Sequence, residues 1–263
     1  MKKLYTLPGG TKYAGFLTTY APYLIDTIDG NHVFIAGTTG AGKSTLENSI
    51  IKSLLSCKFP GADDNGRNAK IILLDPKRVE LRLYKNLPHT IIYADTIDSI
   101  VNALYNIKDI INDRLNVMIK QGRRKSAETP IYIFIDEIIN LIESKRGKEI
   151  IRLISDTISI SRACNVFYII STQNPARDKI PASVQLNCNC RIALRCNKSI
   201  ESNMIIGDAS ALDLPKHGRA IVVKDLERYQ IVVPLYSDIE LQYIVRAWTD
   251  QKNVLNRLAG LFR

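Results

Sequence analysis

Short apolar runs rich in β-branched residues alternate along the chain with longer segments in which apolar residues recur every three or four positions. Runs of the first kind predict buried strands, and segments of the second kind predict amphipathic helices. The predicted strands are 32–36, 70–74, 90–93, 131–135, 166–170 and 190–194, and 219–223 with 230–233 predict a terminal hairpin. This alternation predicts an α/β fold with a mainly parallel central sheet and helices on both faces.

Helical patterns lie between these strands. The pattern predicts helices at 43–55 and 238–261, with a loop rich in Gly, Asp and Asn at 58–68. A further long helix carries a core-facing stripe of Ile97, Ile100, Val101, Leu104, Ile107, Ile111, Leu115 and Met118. Because 46% of the 263 residues are hydrophobic, enough for a sizeable core, we expect residues 1–263 to form one domain.

The first predicted strand leads directly into a glycine-rich segment with the pattern G-x-x-x-x-G-K-[ST]. Between a strand and a helix, such a segment directs backbone N–H groups at phosphates, while Lys43 adds charge and Ser44 can hold Mg²⁺. Gly37 and Gly42 permit backbone conformations and a closeness to phosphate that a Cβ would obstruct. The expected nucleotide-binding residues are Gly37, Thr38, Thr39, Gly40, Ala41, Gly42, Lys43, Ser44 and Thr45.

The predicted strand 131–135 ends in two acidic residues, Asp136 and Glu137. At the carboxyl end of a parallel strand, Asp136 can hold Mg²⁺ opposite Ser44, and Glu137 can orient or deprotonate the attacking water. The alternative is an ordinary acidic helix start, since acidic residues favour helix N-termini. The phosphate-binding pattern upstream favours the catalytic interpretation.

The chain is basic, with a formal net charge of +10. Such a charge favours a polyanionic partner, usually nucleic acid. No run approaches the length of a membrane span and the N-terminus lacks a signal peptide, so we expect a cytoplasmic protein without a membrane segment. The odd number of cysteines, five, also favours a reducing compartment.

Three of the cysteines, Cys188, Cys190 and Cys196, lie close together around the predicted strand 190–194. A metal site is one interpretation of this cluster. Because no nearby C-x-x-C pair or histidine accompanies it, a structural role is favoured.

Several motifs together resemble the FtsK/SpoIIIE-type DNA translocases of the RecA-like P-loop ATPases. The strand and loop 31–40 are similar to the family's own, and 75–81 reads D-P-K-R-V-E-L, the family's characteristic segment. The segments S-R-A at 161–163 and I-S-T-Q at 170–173 resemble its G-R-A helix end and A-T-Q strand end. The resemblance extends over residues 23–236 and implies an ATPase that uses ATP and Mg²⁺.

The resemblance implies roles for two further residues. Arg162 matches the arginine that acts as a finger on the neighbouring subunit's nucleotide, which implies a homo-oligomeric ring, a hexamer. The alternative is an arginine that caps its own helix. Gln173 matches a polar sensor of the γ-phosphate or the attacking water, and the alternative is a loop glutamine bonded to backbone. With Lys43 and Glu137, these two residues complete the expected catalytic set.

No catalytic step is assigned to the D-P-K-R-V-E-L segment. Asp75 follows a predicted central strand and should face the nucleotide crevice. Two interpretations of Lys77 and Arg78 stay open: they couple the site to neighbouring loops, or they form an ordinary surface salt bridge.

The expected partner is double-stranded DNA, gripped through its phosphates. Arg177 and Lys179 lie in the segment that resembles the family's DNA-facing loop. Gln185 and Asn203 stand where lysine and arginine are common, which predicts a weaker or differently arranged grip. The basic run 121–125 is a second candidate, although charge runs are usually solvated loops.

These observations predict an ATP-dependent DNA translocase. The family's long members carry a membrane region and a winged-helix module, for which this chain has no room. That favours a compact motor of a phage, plasmid or integrative element, acting in DNA transfer, replication or packaging. Two alternatives stay open: an FtsK-like ATPase that moves protein, and a DNA-binding initiation factor that uses ATP as an assembly switch.

Overall fold

A computed structural model describes residues 15–17, 22–23, 31–56, 69–175, 180–225, 227–233 and 235–261. The strands are β1 Gly15–Leu17, β2 Pro22–Tyr23, β3 Val33–Ala36, β4 Lys70–Leu74, β5 Thr90–Ala94, β6 Ile131–Ile135, β7 Val166–Thr172, β8 Cys190–Leu194, β9 Arg219–Lys224 and β10 Glu227–Val232. The α-helices are α1 Lys43–Ser56, α2 Ile97–Lys120, α3 Ile138–Ile142, α4 Gly147–Ser161, α5 Ala182–Asn187, α6 Ser199–Ile206 and α7 Asp238–Leu261. Leu81–Tyr84 and Ser210–Leu212 form short 3₁₀ helices. The predicted loop 58–68 lies outside the described residues.

All ten strands belong to one sheet in the order β2-β1-β10-β9-β8-β3-β7-β6-β4-β5. The strands from β8 to β5 in this order are parallel, and those from β9 to β2 pair antiparallel. The prediction of a mainly parallel α/β sheet is therefore confirmed. The predicted terminal hairpin is also present as β9 and β10.

Each central strand contributes alternate residues to two cores. Phe34 and Ala36 of β3 lie in the core that includes α2 and α4, whereas Val33 and Ile35 lie in the core that includes α1. Burial on both faces explains why these strands read as continuous apolar runs. It also confirms the prediction that helices cover both faces of the sheet.

The parallel register aligns the carboxyl ends of the central strands. Ala36 of β3 pairs with Thr172 of β7 and Ala193 of β8, and Ile135 of β6 pairs with Leu74 of β4 and Ile170 of β7. Residues that follow these strands therefore meet at one edge of the sheet. In an open α/β sheet, ligands bind at this carboxyl edge.

The residue before β3, His32, is fully buried beneath the C-terminal end of α4. Its Nδ1 accepts a hydrogen bond from the Tyr168 N–H at 2.9 Å, so the proton of the neutral ring lies on Nε2, which donates to the Ile158 carbonyl at 2.9 Å. Burial lowers the pKa of His32 to about 4, although the Ile158 carbonyl opposes the shift; the charge of Arg162 adds to it. The buried position of His32 therefore requires the neutral imidazole, because its Nδ1 has to accept the Tyr168 N–H.

This histidine predicts a pH-dependent contribution to stability. Because its pKa is lower in the folded protein than in the unfolded chain, its contribution is complete above the unfolded value and decreases as pH falls towards about 4. The stability advantage of the wild type over His32→Gln should shrink by up to about 3 kcal/mol between about pH 7.5 and pH 4. Urea unfolding of both proteins across this range measures the difference, which would stay constant if His32 did not titrate in this window.

Candidate nucleotide-binding site

The glycine-rich loop connects β3 to the N-terminus of α1, as its pattern predicts. Thr38 N–H donates to the Arg195 carbonyl at 2.8 Å, which fixes the start of the loop on the adjacent strand end. A Cβ at Gly37 would lie 2.6 Å from Leu194 Cβ, so this glycine is required by crowding from β8 rather than by phosphate alone. Gly42 has a φ of +105°, a conformation that side chains rarely adopt.

Lys43 reaches from α1 to the end of the neighbouring strands. Its Nζ lies 2.5 Å from Asp136 Oδ1, 3.2 Å from Ser171 Oγ and 3.8 Å from Glu47 Oε1. Burial lowers the pKa of Lys43, but Glu47 and Asp136 outweigh this effect and the net shift is upward. To bind a phosphate, the ammonium has to exchange a carboxylate for a phosphate oxygen, and both are anions that suit its charge.

Glu47 is a buried acid in the first turns of α1 that the sequence analysis did not identify. Burial raises the pKa of Glu47 to about 7, although the charge of Lys43 opposes the shift. Its Oε2 is buried without a hydrogen-bond partner among the described residues. The position of this carboxylate beside Lys43 makes it part of the charge balance of the site.

The residues at this edge fit a magnesium ion. Asp136 is buried, and of the described residues none gives its Oδ2 a hydrogen bond. Such an orphaned carboxylate oxygen is a suitable ligand for a hard cation. Ser44 is the second residue of α1, beside the loop. Together with Asp136 it would hold Mg²⁺, which is usually bound by few protein ligands plus substrate phosphates.

Glu137 lies between β6 and α3 in the left-handed backbone region, with φ 51° and ψ 67°. Its carboxylate accepts from Thr172 Oγ1 at 2.6 Å, from Gln173 N at 3.0 and 3.1 Å, and from Lys77 Nζ at 3.1 Å. Its side chain makes no capping hydrogen bond to α3. The carboxylate is therefore directed to the strand ends and not to the helix start that was the alternative interpretation.

Three side chains from distant segments contact the phosphate-binding loop. Gln173 Oε1 accepts from Thr39 Oγ1 at 3.0 Å, Asn197 Nδ2 donates to Thr38 Oγ1 at 2.8 Å, and His217 Nδ1 lies 2.7 Å from the Gly40 carbonyl oxygen. The side chain of Gln173 thus bonds to the loop, not to backbone. No sequence pattern identified Asn197 or His217, since each is more than 150 residues from its partner.

The D-P-K-R-V-E-L segment forms the turn after β4. Asp75 is buried and accepts from the N–H groups of Arg78 at 2.8 Å and Leu81 at 3.2 Å, so it shapes this turn. Burial raises the pKa of Asp75. Arg78 makes an exposed ion pair with Asp95, whereas Lys77 turns inward to Glu137. Arg78 thus forms the surface salt bridge that was one interpretation of this segment, whereas Lys77 connects the segment to the site, which was the other.

Arg162 lies at the other edge of the sheet. It follows the last residue of α4, is exposed, and is close enough to His32 at the start of β3 to affect its pKa. The seven residues of β7 separate this edge from Gln173, a distance of about 20 Å. Within the described part of the chain, its guanidinium makes no hydrogen bond or ion pair, but its backbone occupies the C-cap position of α4 and its N–H donates to the Ile160 carbonyl. The helix-capping alternative and the finger assignment therefore both stay open.

The two DNA candidates, Arg177 and Lys179, lie outside the described residues. The second basic candidate, residues 121–125, is exposed throughout. Gln185 donates to the Ile180 carbonyl at 2.7 Å and Asn203 donates to the Ser199 carbonyl at 2.9 Å. The Gln185 side chain thus bonds to the segment that precedes α5, and the Asn203 side chain bonds within α6.

The cysteine cluster is buried. Burial raises the pKa of Cys188 and Cys190 to about 12, which keeps both thiols protonated. Of the residues that the structure describes, no group of three or more His, Cys, Asp or Glu side chains is arranged to hold a metal. Buried, protonated thiols are typical of cysteines that pack as small apolar side chains, and the structural role stays a prediction. No helix in the described ranges is both long and apolar enough to cross a membrane.

The strand, loop and helix that carry Lys43, at the carboxyl edge of a parallel sheet, are the arrangement of P-loop ATPases, and this is the class to which the fold belongs. Residues 14–211 match the FtsK/SpoIIIE family, so the chain belongs to that family. The predicted membership of this family is confirmed.

Named relatives of the chain are DNA translocases. It is 30% identical over 233 residues to DNA translocase FtsK of Borreliella burgdorferi, which is 78% of this chain and 27% of that protein. To DNA translocase FtsK of Staphylococcus aureus it is 29% identical over 243 residues, which is 84% of this chain and 30% of that protein. The chain therefore spans less than a third of these relatives.

Solved structures share the fold. The conjugation coupling protein TcpA, in a monomer form with ATPγS, superimposes with a TM-score of 0.76 at 20% identity over 89% of this chain and 69% of that one. The type VII secretion ATPase EccC of Thermomonospora curvata gives 0.76 at 18% identity over 93% of this chain and 32% of that one. At these identities the likeness extends to the fold alone.

Proposed function

We propose that this chain is the motor ATPase of a homo-oligomeric ring, a hexamer, that hydrolyses Mg-ATP to move double-stranded DNA. The observation that carries the proposal is the separation of two sets of residues. Lys43, Asp136, Glu137 and Gln173 lie at the carboxyl edge of the sheet, whereas Arg162 is exposed at the amino edge. An arginine about 20 Å from its own loop can complete a site only on another subunit.

The residues of one subunit divide the chemistry between them. The loop N–H groups and Lys43 bind the phosphates, and Ser44 with Asp136 would hold Mg²⁺, which neutralises charge on the phosphate oxygens. Glu137 takes a proton from the attacking water, and Gln173 lies where it can sense the terminal phosphate. Arg162 of a neighbouring subunit stabilises the charge that develops during phosphoryl transfer.

Two observations support DNA as the moved substrate. The net charge of +10 favours a polyanion, and relatives of this chain are named DNA translocases. A role in a phage, plasmid or integrative element stays a prediction. An ATPase assay with and without duplex DNA of unrelated sequences tests the proposal. Stimulation by any duplex supports a translocase, and its absence under every assembly condition would favour the protein-moving or switch alternative.

Replacing both Arg177 and Lys179 by alanine should reduce DNA stimulation while basal hydrolysis continues. Because each phosphate contact contributes about 0.9 to the salt dependence of affinity, the slope of log affinity against log salt should flatten by up to about two units. DNA binding measured across a salt series gives this slope.

The matched control is Arg123→Ala with Lys125→Ala, which removes the same charge from the second basic segment. This control should retain most of the DNA response. If the control lost the response and the first pair retained it, the DNA contacts would belong to residues 121–125 instead.

A further inference from the structure

The carboxylate of Glu137 is restrained by contacts that the proposed hydrolysis does not require. Its Oε1 accepts from Thr172 Oγ1 and Gln173 N, and its Oε2 accepts from Gln173 N and Lys77 Nζ. The side chain is only 5% exposed. A general base needs a lone pair directed at the water whose proton it takes. These three donors therefore compete with that water for the same two oxygens.

The backbone restrains the same residue. Glu137 lies at φ 51°, in a region that is uncommon for residues other than glycine and that persists only where the surroundings enforce it. The contacts of its carboxylate with β7 and Lys77 supply that enforcement.

Lys77 is the cationic member of this group. Its turn is fixed by two N–H donations to the Asp75 carboxylate, and the neighbouring Arg78 is held at φ 61° with its side chain paired to Asp95. Lys77 is thereby directed inward, with its side chain 30% exposed. Its ammonium can leave Glu137 for water at small cost, because a partly exposed ion pair is weak.

Gln173 joins this group to the phosphate-binding loop. Its N–H bonds to Glu137 while its side-chain oxygen accepts from the Thr39 hydroxyl. A phosphate in the loop competes for the hydroxyl and N–H groups around Thr39. Any rearrangement of Gln173 that follows also changes the N–H that holds Glu137.

We propose that Lys77 is a positioning residue that, with Thr172 and the Gln173 N–H, tethers Glu137 away from the attacking water until nucleotide in the loop draws Gln173 away. The inference rests on the proposed function, because it assigns Glu137 as the base. The three donors are here named the Glu137 tether. Release of the tether gives the carboxylate a free oxygen for water.

Turnover of Lys77→Met tests the tether. Without the ammonium, Glu137 is released more readily, so basal kcat without DNA should rise. The expected rise is roughly three- to tenfold, which is the effect of losing one partly exposed, charge-assisted contact. KM should change little. Lys77→Arg, which retains charge and donors, should return turnover towards the wild-type value. Lys85→Met, which removes an exposed lysine after the nearby 3₁₀ helix, is the matched control and should behave as the wild type. Unchanged or lower kcat in Lys77→Met would overturn the proposal.

Hydrogen exchange of the Gln173 amide supplies a readout that needs no hydrolysis. This amide should exchange faster in Lys77→Met than in the wild type, with Glu137→Ala as the fully released reference, and ATPγS should also accelerate it in the wild type. If the wild type hydrolyses no ATP, the proposed function fails while exchange still decides the tether. Equal exchange in wild type and Lys77→Met would overturn the tether even if ATP is hydrolysed.

Discussion

Glu137→Gln is expected to bind ATP with near wild-type affinity and to lose turnover by about two to four orders of magnitude, the usual contribution of a general base. The amide has the shape of the carboxylate, and its oxygen can still accept from the Thr172 hydroxyl or the Gln173 N–H. It cannot take a proton from water. Equilibrium nucleotide binding and steady-state hydrolysis, measured on the same preparation, separate the two effects.

Two comparisons make this result specific. Lys43→Ala should weaken ATP binding itself, because it removes the charge that meets the phosphates. Glu227→Gln makes the same chemical change at an exposed position of β10 and should hydrolyse ATP normally. If Glu137→Gln hydrolysed ATP at the wild-type rate, the general base would have to be another residue.

Arg162→Ala should bind ATP nearly normally and hydrolyse it about a thousandfold more slowly, because a finger arginine stabilises the transition state and not bound nucleotide. If Arg162 acts as the proposed finger, its exposed position at the amino edge places that action on the nucleotide of another subunit. Arg152→Ala, at an exposed position of α4, the helix that Arg162 follows, is the matched control. Unchanged turnover in Arg162→Ala would remove the finger assignment.

Mixing distinguishes a role in a neighbouring subunit from a role in the same one. Subunits with Arg162→Ala retain Glu137, and subunits with Glu137→Gln retain Arg162. If the arginine acts on the next subunit, mixed rings contain some sites with both groups, and activity returns on mixing as subunits exchange. If it acted within its own subunit, every site would lack one group and mixtures would stay inactive.

The central strands followed from the sequence almost to their ends. β3, β4, β6 and β8 are buried on both faces, and burial of that kind requires the continuous apolar runs that identified them. β7 is longer than predicted because Ser171 and Thr172 continue the strand as polar residues. Their hydroxyls bond to Asp136 and Glu137. Because these two residues are polar for that contact, the apolar pattern that identified the rest of β7 does not include them.

Several other elements were not predicted from the sequence. β1 and β2 contain three and two residues, too few to show a period. They are strands only because β1 pairs with β10 and β2 pairs with β1. For α4, the sequence located only the end at Arg162. The helix itself, with Ile150, Leu153, Ile154 and Ile158 at helical spacing, was not predicted.

The sequence by itself determined the phosphate-binding loop, the acidic pair after β6 and the family, because each depends on residue types at short spacing. Only the tertiary structure decided that Lys77 meets Glu137 across 60 residues, and that Asn197 and His217 contact the loop. The period of the apolar residues indicates which face of a segment is buried, but it does not indicate which strand lies beside that segment. Strand order follows from packing both faces of the sheet at once, and this packing brings together side chains that no local pattern connects.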